Sequence, residues 1–123
     1  MKNLPVSGAL VVVLCLVAAG VFSIREAQSQ NVAKIAGAAK LYRENCASCH
    51  GADAEGSGAD CMMMSGPNLL SAVRKMDAKA FRDEVRRVGE TNMCAGHLLD
   101  LSSANLEAIR NYLLELSKQT KSN

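Results

Sequence analysis

Three stretches of the chain repeat apolar side chains at helical intervals, and none alternates apolar with polar long enough to make a strand. Val32, Ile35, Ala39 and Tyr42 stand at i, i+3, i+7 and i+10, one face of a first helix ending near Asn45. Ala78, Phe81, Val85 and Val88 mark a second, with Asp77 placed to cap it and Gly89 to stop it. Leu106, Ile109, Leu113 and Leu116 mark a third, capped by Ser102 or Ser103 with Glu107 in its first turn. The connections differ in character. Gly51 to Gly66 is glycine-rich and carries Met62-Met63-Met64, after which Pro67-Asn68-Leu69-Leu70 opens a short helix with proline in its first turn. Glu90 to Leu101 has little periodicity, and the tail from Thr120 to Asn123 is expected to fray.

Ahead of these helices, Lys2 precedes an apolar run from Ala9 to Phe22, and the chain turns polar at Ser23, Arg25 and Glu26. That is the shape of an export signal, and Ala27-Gln28-Ser29 offers small residues for cleavage after Ser29. The expected division is therefore residues 1–29 as signal and 30–123 as the folded domain. Counted from Leu4, however, the apolar run (residues 4–22) reaches 19 residues, close to the roughly 20 that span a bilayer. An uncleaved membrane anchor is the alternative. Pro5, Ser7 and Gly8 weaken its N-terminal end and favour the signal. Both readings put the folded part outside the cytoplasm, in a periplasm or an equivalent exported space.

Composition narrows the class. A hydrophobic fraction of 49% excludes a disordered chain, and a net charge of +2 with scattered basic residues leaves no stripe for nucleic acid. The aromatic inventory is thin: Phe22, Tyr42, Phe81 and Tyr112 are the only rings. A domain this small, with so few large side chains, is expected to need a bound group or cross-links.

The five cysteines say which. Cys15 lies in the apolar leader, and Leu14 before it is too large for a lipid-attachment signal, so Cys15 leaves with the leader. Cys46, Cys49, Cys61 and Cys94 remain, an even number in a compartment where disulfides persist. Cys46-Ala47-Ser48-Cys49-His50 is a C-x-x-C-H run of the kind that attaches c-type haem. Two thiols three residues apart can add to the two vinyl groups on one porphyrin edge, and the next residue presents an imidazole to iron. Three other readings compete. A thioredoxin-like redox pair belongs beside a βαβ unit, which is missing here. Zinc could use Cys46 and Cys49 with Cys94-Ala95-Gly96-His97, but would leave His50 idle and the aromatic shortage unexplained. A plain Cys46–Cys49 disulfide is the simplest. Haem accounts for the most residues.

These residues resemble the small class I c-type cytochromes, the monohaem cytochromes c. Gly37 and Tyr42 look like the small and aromatic positions where the family's first helix crosses its last, and Tyr112 like the aromatic partner. Gly66-Pro67-Asn68-Leu69 is similar to the loop in which a proline carbonyl accepts a hydrogen bond from the haem-ligating imidazole. The resemblance implies an all-α cytochrome c fold: three main helices plus a short one wrapped around one covalently attached haem. It implies haem binding by Cys46, Cys49, His50, Pro67 and Met93, with iron held by His50 and Met93, because Met93 stands in the loop before the last helix where the family supplies methionine. Met62, Met63 and Met64 precede the proline loop and read as packing or surface, as does Met76 beside its basic neighbours. His97 is the competing axial ligand.

Cys94 stands where the family expects proline. With Cys61 it leaves two spare cysteines, for which we expect a Cys61–Cys94 disulfide pinning the methionine loop, provided their Cα atoms lie within about 7 Å. Closing a loop of that length is worth about 3–4 kcal/mol in the chain-entropy model. Axial ligation on both sides leaves iron no open position for oxygen or peroxide, so the expected function is one-electron transfer rather than enzymatic turnover. The implied partners are an exported dehydrogenase or membrane complex as donor and a terminal oxidase or reductase as acceptor, with lysines such as Lys75 and Lys79 as docking charges or simply a solvated face. Two alternatives stay open. In one, an unpaired Cys94 ligates iron or carries a sulfur substrate; in the other, the domain is a subunit of a larger oxidoreductase held by residues 4–22.

Overall fold

The computed structural model describes residue 26 and residues 28–58 and 65–120. The apolar leader with Cys15, the segment holding Cys61 and Met62 to Met64, and the last three residues of the tail lie outside the described residues. The chain divides into two units, Met1–Ala33 and Lys34–Asn123. The described residues of the first unit are helical. No helix among the described residues is long and apolar enough to cross a membrane.

All regular structure among the described residues is helical, as the periodicity predicts. Helix α1 covers residues 28–45, and the 34–45 part belongs to the second unit. It is followed by α2 (Ala47–His50), α3 (Leu69–Val73), α4 (Ala78–Thr91), a 3₁₀ turn (Gly96–Asp100) and α5 (Ser103–Gln119). Three helix starts are fixed by side-chain caps. The Ala80 amide donates to Asp77 Oδ1 at 2.7 Å, the Ser71 amide to Asn68 Oδ1 at 2.9 Å, and the Asn105 amide to Ser102 Oγ at 3.1 Å. With Asn68 as the cap, Pro67 stands before the short helix rather than in its first turn. With Ser102 as the cap, Glu107 falls beyond the first turn of α5.

The core of the second unit gathers Tyr42, Ala54, Leu70, Val73, Phe81, Ile109 and Leu113, with Met76 packed against it. The buried face of α1 differs from the expected one: Val32 is 67% exposed and Ile35 40%, and the buried positions are Ala38 and Tyr42. Gly37 is exposed too, with open space where a Cβ would stand, so Ala38 is the small residue buried on this helix. The aromatic pair does meet. The Tyr42 and Tyr112 rings lie 5.7 Å apart, tilted by 43°, and join α1 to α5.

Gly89 does not stop α4, which runs on to Thr91. It is buried inside the helix, and a Cβ on it would lie 2.9 Å from Leu99 Cδ2. Its role is steric: the missing side chain lets the 3₁₀ turn pack against α4. The region from Glu90 to Leu101, which has no legible periodicity, is thus held by contact with a helix whose own pattern is clear.

Candidate functional site

The C-x-x-C-H run sits where α1 ends. Cys46 breaks the helix with φ −126°, and Ala47 to His50 form one further turn. This places Cys46, Cys49 and His50 within one tight turn, all partly buried. Both thiols are free. Burial, reinforced by the neighbouring Cys49, pushes the Cys46 thiol up to about 12. The Cys46 thiol is thus neutral at physiological pH.

The turn closes at Gly51, whose φ of +82° and lack of room for a Cβ beside Asp53 and Ser57 require glycine. Its amide bonds to the Ala47 carbonyl at 2.8 Å, and its carbonyl accepts the buried Tyr42 hydroxyl at 2.6 Å. Burial is also the main reason the Tyr42 phenol is raised well above its ordinary value, with nearby Cys46 adding to it.

His50 is aimed by the loop that follows. Its Nδ1 lies 2.8 Å from the Pro67 carbonyl. A carbonyl only accepts, so Nδ1 carries the proton and Nε2 keeps a lone pair for a metal. The loop is brought there by the Gly66 amide bonding to the Cys49 carbonyl at 2.7 Å, and by the Gly56 amide bonding to the His50 carbonyl at 2.8 Å. Gly66 permits the approach, since a Cβ there would stand 2.5 Å from the His50 ring. Two free thiols and an imidazole with its tautomer fixed are the donor set that haem c attachment needs.

The remaining candidates lie between α4 and α5. Met93 is 87% exposed. His97 donates from Nε2 to the Asn45 carbonyl at 3.1 Å, an interaction that no local pattern signals. Cys94 is disulfide-bonded, while Cys61 lies outside the described residues. The zinc reading is not supported, because among the described residues no three cysteine, histidine or acidic side chains come together as a metal site. Nor is the Cys46–Cys49 disulfide formed. Lys79 pairs with Asp83 at 2.6 Å on an exposed helix face, as a solvated surface does.

Residues 33–113 match the family described as cytochrome c oxidase, cbb3-type, subunit III. No curated protein and no solved structure matches the chain significantly.

Proposed function

Because the chain belongs to the family of cbb3-type cytochrome c oxidase subunit III and carries haem c as an electron-transfer domain, we propose that it is an exported one-electron carrier with His50 and Met93 as axial ligands. The observation that supports this reading is the hydrogen bond from His50 Nδ1 to the Pro67 carbonyl, which leaves the Nε2 lone pair free for iron next to two free thiols. Cys46 and Cys49 would hold the group through thioethers, each thiol giving its hydrogen to one vinyl carbon as sulfur bonds to the other. Bound haem supplies the ferric/ferrous couple.

The protein's own residues then set the surroundings of that couple. The Pro67 carbonyl orients the imidazole and raises its basicity. Met93, an apolar side chain left exposed by the polypeptide, would supply the thioether as the second ligand. Cys94 is disulfide-bonded, which disfavours the alternative in which it serves as an iron ligand or sulfur carrier. With residues 1–29 removed, Cys61 is the cysteine left to pair with it, since Cys46 and Cys49 are free. We take residues 1–29 as the export signal and 30–123 as the cytochrome c domain in a periplasmic space. The family description makes a terminal oxidase the fitting acceptor, with an exported dehydrogenase or membrane complex as donor, and keeps attachment to a larger assembly through residues 4–22 as the second reading.

The test is a denaturing gel stained for haem peroxidase activity, together with ferric and ferrous spectra. Wild type retains covalent haem, and a Cys46→Ser, Cys49→Ser chain does not. Absence of covalent haem in the wild type would refute the proposal.

A further inference from the structure

The loop that carries Met93 is fastened in three ways, one of them the Cys94 disulfide. Toward α4, the Asn92 amide bonds to the Val88 carbonyl at 2.9 Å and Leu99 packs over Gly89. Within the loop, the Cys94 amide bonds to Asn92 Oδ1 at 3.0 Å, and the Ala95 amide to the Asn92 carbonyl at 2.9 Å. These hydrogen bonds shape the loop and seat it on α4, but none reaches the segment that holds the haem. His97 does, bonding to Asn45, a residue 52 positions away and adjacent to Cys46.

Building on Met93 as the axial ligand, we infer that His97 is a positioning residue. Its Nε2–H tethers the methionine loop to the backbone just before the attachment cysteines, and so holds Met93 at the iron. Among the protein's own atoms Met93 is 87% exposed, so polypeptide packing does not locate it. The loop backbone must locate it instead. Met93 is four residues from His97, a reach of at most about 14 Å of extended chain, so a tether at His97 restricts where Met93 can go. The bond does not depend on the charge of the ring, since the imidazolium and the neutral Nε2–H tautomer both donate.

The experiment compares the haem-loaded full chain with His97→Ala, His97→Gln and Met93→Ala. It reads haem content, the charge-transfer band of methionine-ligated ferric haem, and affinity for added imidazole. Wild type shows the band and Met93→Ala lacks it. His97→Ala binds imidazole roughly three- to tenfold more tightly, the worth of one hydrogen bond. His97→Gln, whose amide nitrogen can replace the Nε2 donor, returns to the wild-type affinity. Should His97→Ala lose haem, His97→Leu repeats the comparison with the apolar volume kept. Wild-type imidazole affinity in the variants lacking the donor, or no recovery with glutamine, overturns the positioning role. A wild type without the band, unaltered by Met93→Ala, overturns the ligand assignment instead, and a bis-imidazole spectrum lost in His97→Ala makes His97 a ligand and overturns both.

Discussion

The Tyr42 hydroxyl, fully buried, donates to the Gly51 carbonyl at 2.6 Å. One aromatic side chain thereby packs against α5 through Tyr112 and fastens the end of the attachment turn. Tyr42→Phe keeps the packing and removes one of the two donors to the Gly51 carbonyl, which keeps the Ala54 amide at 3.1 Å, at a cost of about 0.5–1.5 kcal/mol, measurable by urea unfolding. The raised phenol has a second signature. In the folded protein Tyr42 stays protonated above its ordinary pKa while the unfolded chain ionises there, so its contribution to stability is intact below pH about 10 and is lost as pH rises further. An absorbance titration of tyrosinate should show Tyr42 ionising only with unfolding.

Gly66→Ala should disrupt the aim of His50. The new methyl would meet the imidazole at 2.5 Å and the Cys49 carbonyl at 3.1 Å, so the ring or the Pro67 loop must move. Overpacking of this kind costs about 1–3 kcal/mol. The expected readout is a lower fraction of chains carrying haem, with Ser65→Ala, at an exposed neighbouring position, as the unaffected control.

Asp77 gives an acid-dependent start to α4. Its carboxylate is held below its ordinary pKa first by the Ala80 amide, with smaller help from the Lys79 amide and from Arg110 and Lys79. A lowered folded value means that the contribution is present above pH about 4 and is lost as pH falls through the folded value. Asp77→Asn keeps an amide-accepting cap and should flatten this part of the stability profile between pH 2 and 5, while Asp77→Ala should destabilise the helix at neutral pH as well.

Cys94→Ser should lower unfolding stability by about 3–4 kcal/mol if its bond closes the loop to Cys61. Cys61→Ser should do the same, and the double substitution should add nothing to either. Peptide mapping without reduction identifies the pair directly.

These residues also show what a sequence discloses and what it hides. The helix starts at Asp77 and Ser102 were legible because a cap acts over three residues, a distance that sequence spacing reports directly. The C-x-x-C-H run was legible as a short motif with its own chemistry, and the His50 to Pro67 contact through a family resemblance. Gly89 misled because a glycine that ends a helix and one that admits a neighbour look alike until Leu99 is in place. Gly37 and Ala38 exchanged roles because one residue of rotation on a helix, about 100°, decides which small side chain is covered. The His97 to Asn45 bond spans 52 positions and follows no local rule. Only the folded chain brings the two together.

The backbone bonds around His50 hold the attachment turn and the proline loop together. Cys49 to Gly66, His50 to Gly56 and Ala54 to Leu69 are joined by amide-to-carbonyl bonds of 2.7 to 2.8 Å, which stitch a neck beneath the imidazole. Gly56 and Gly66 are drawn against the attachment turn by these bonds, and Pro67 comes with them. The direction of the imidazole therefore rests on main-chain groups as much as on its own ring.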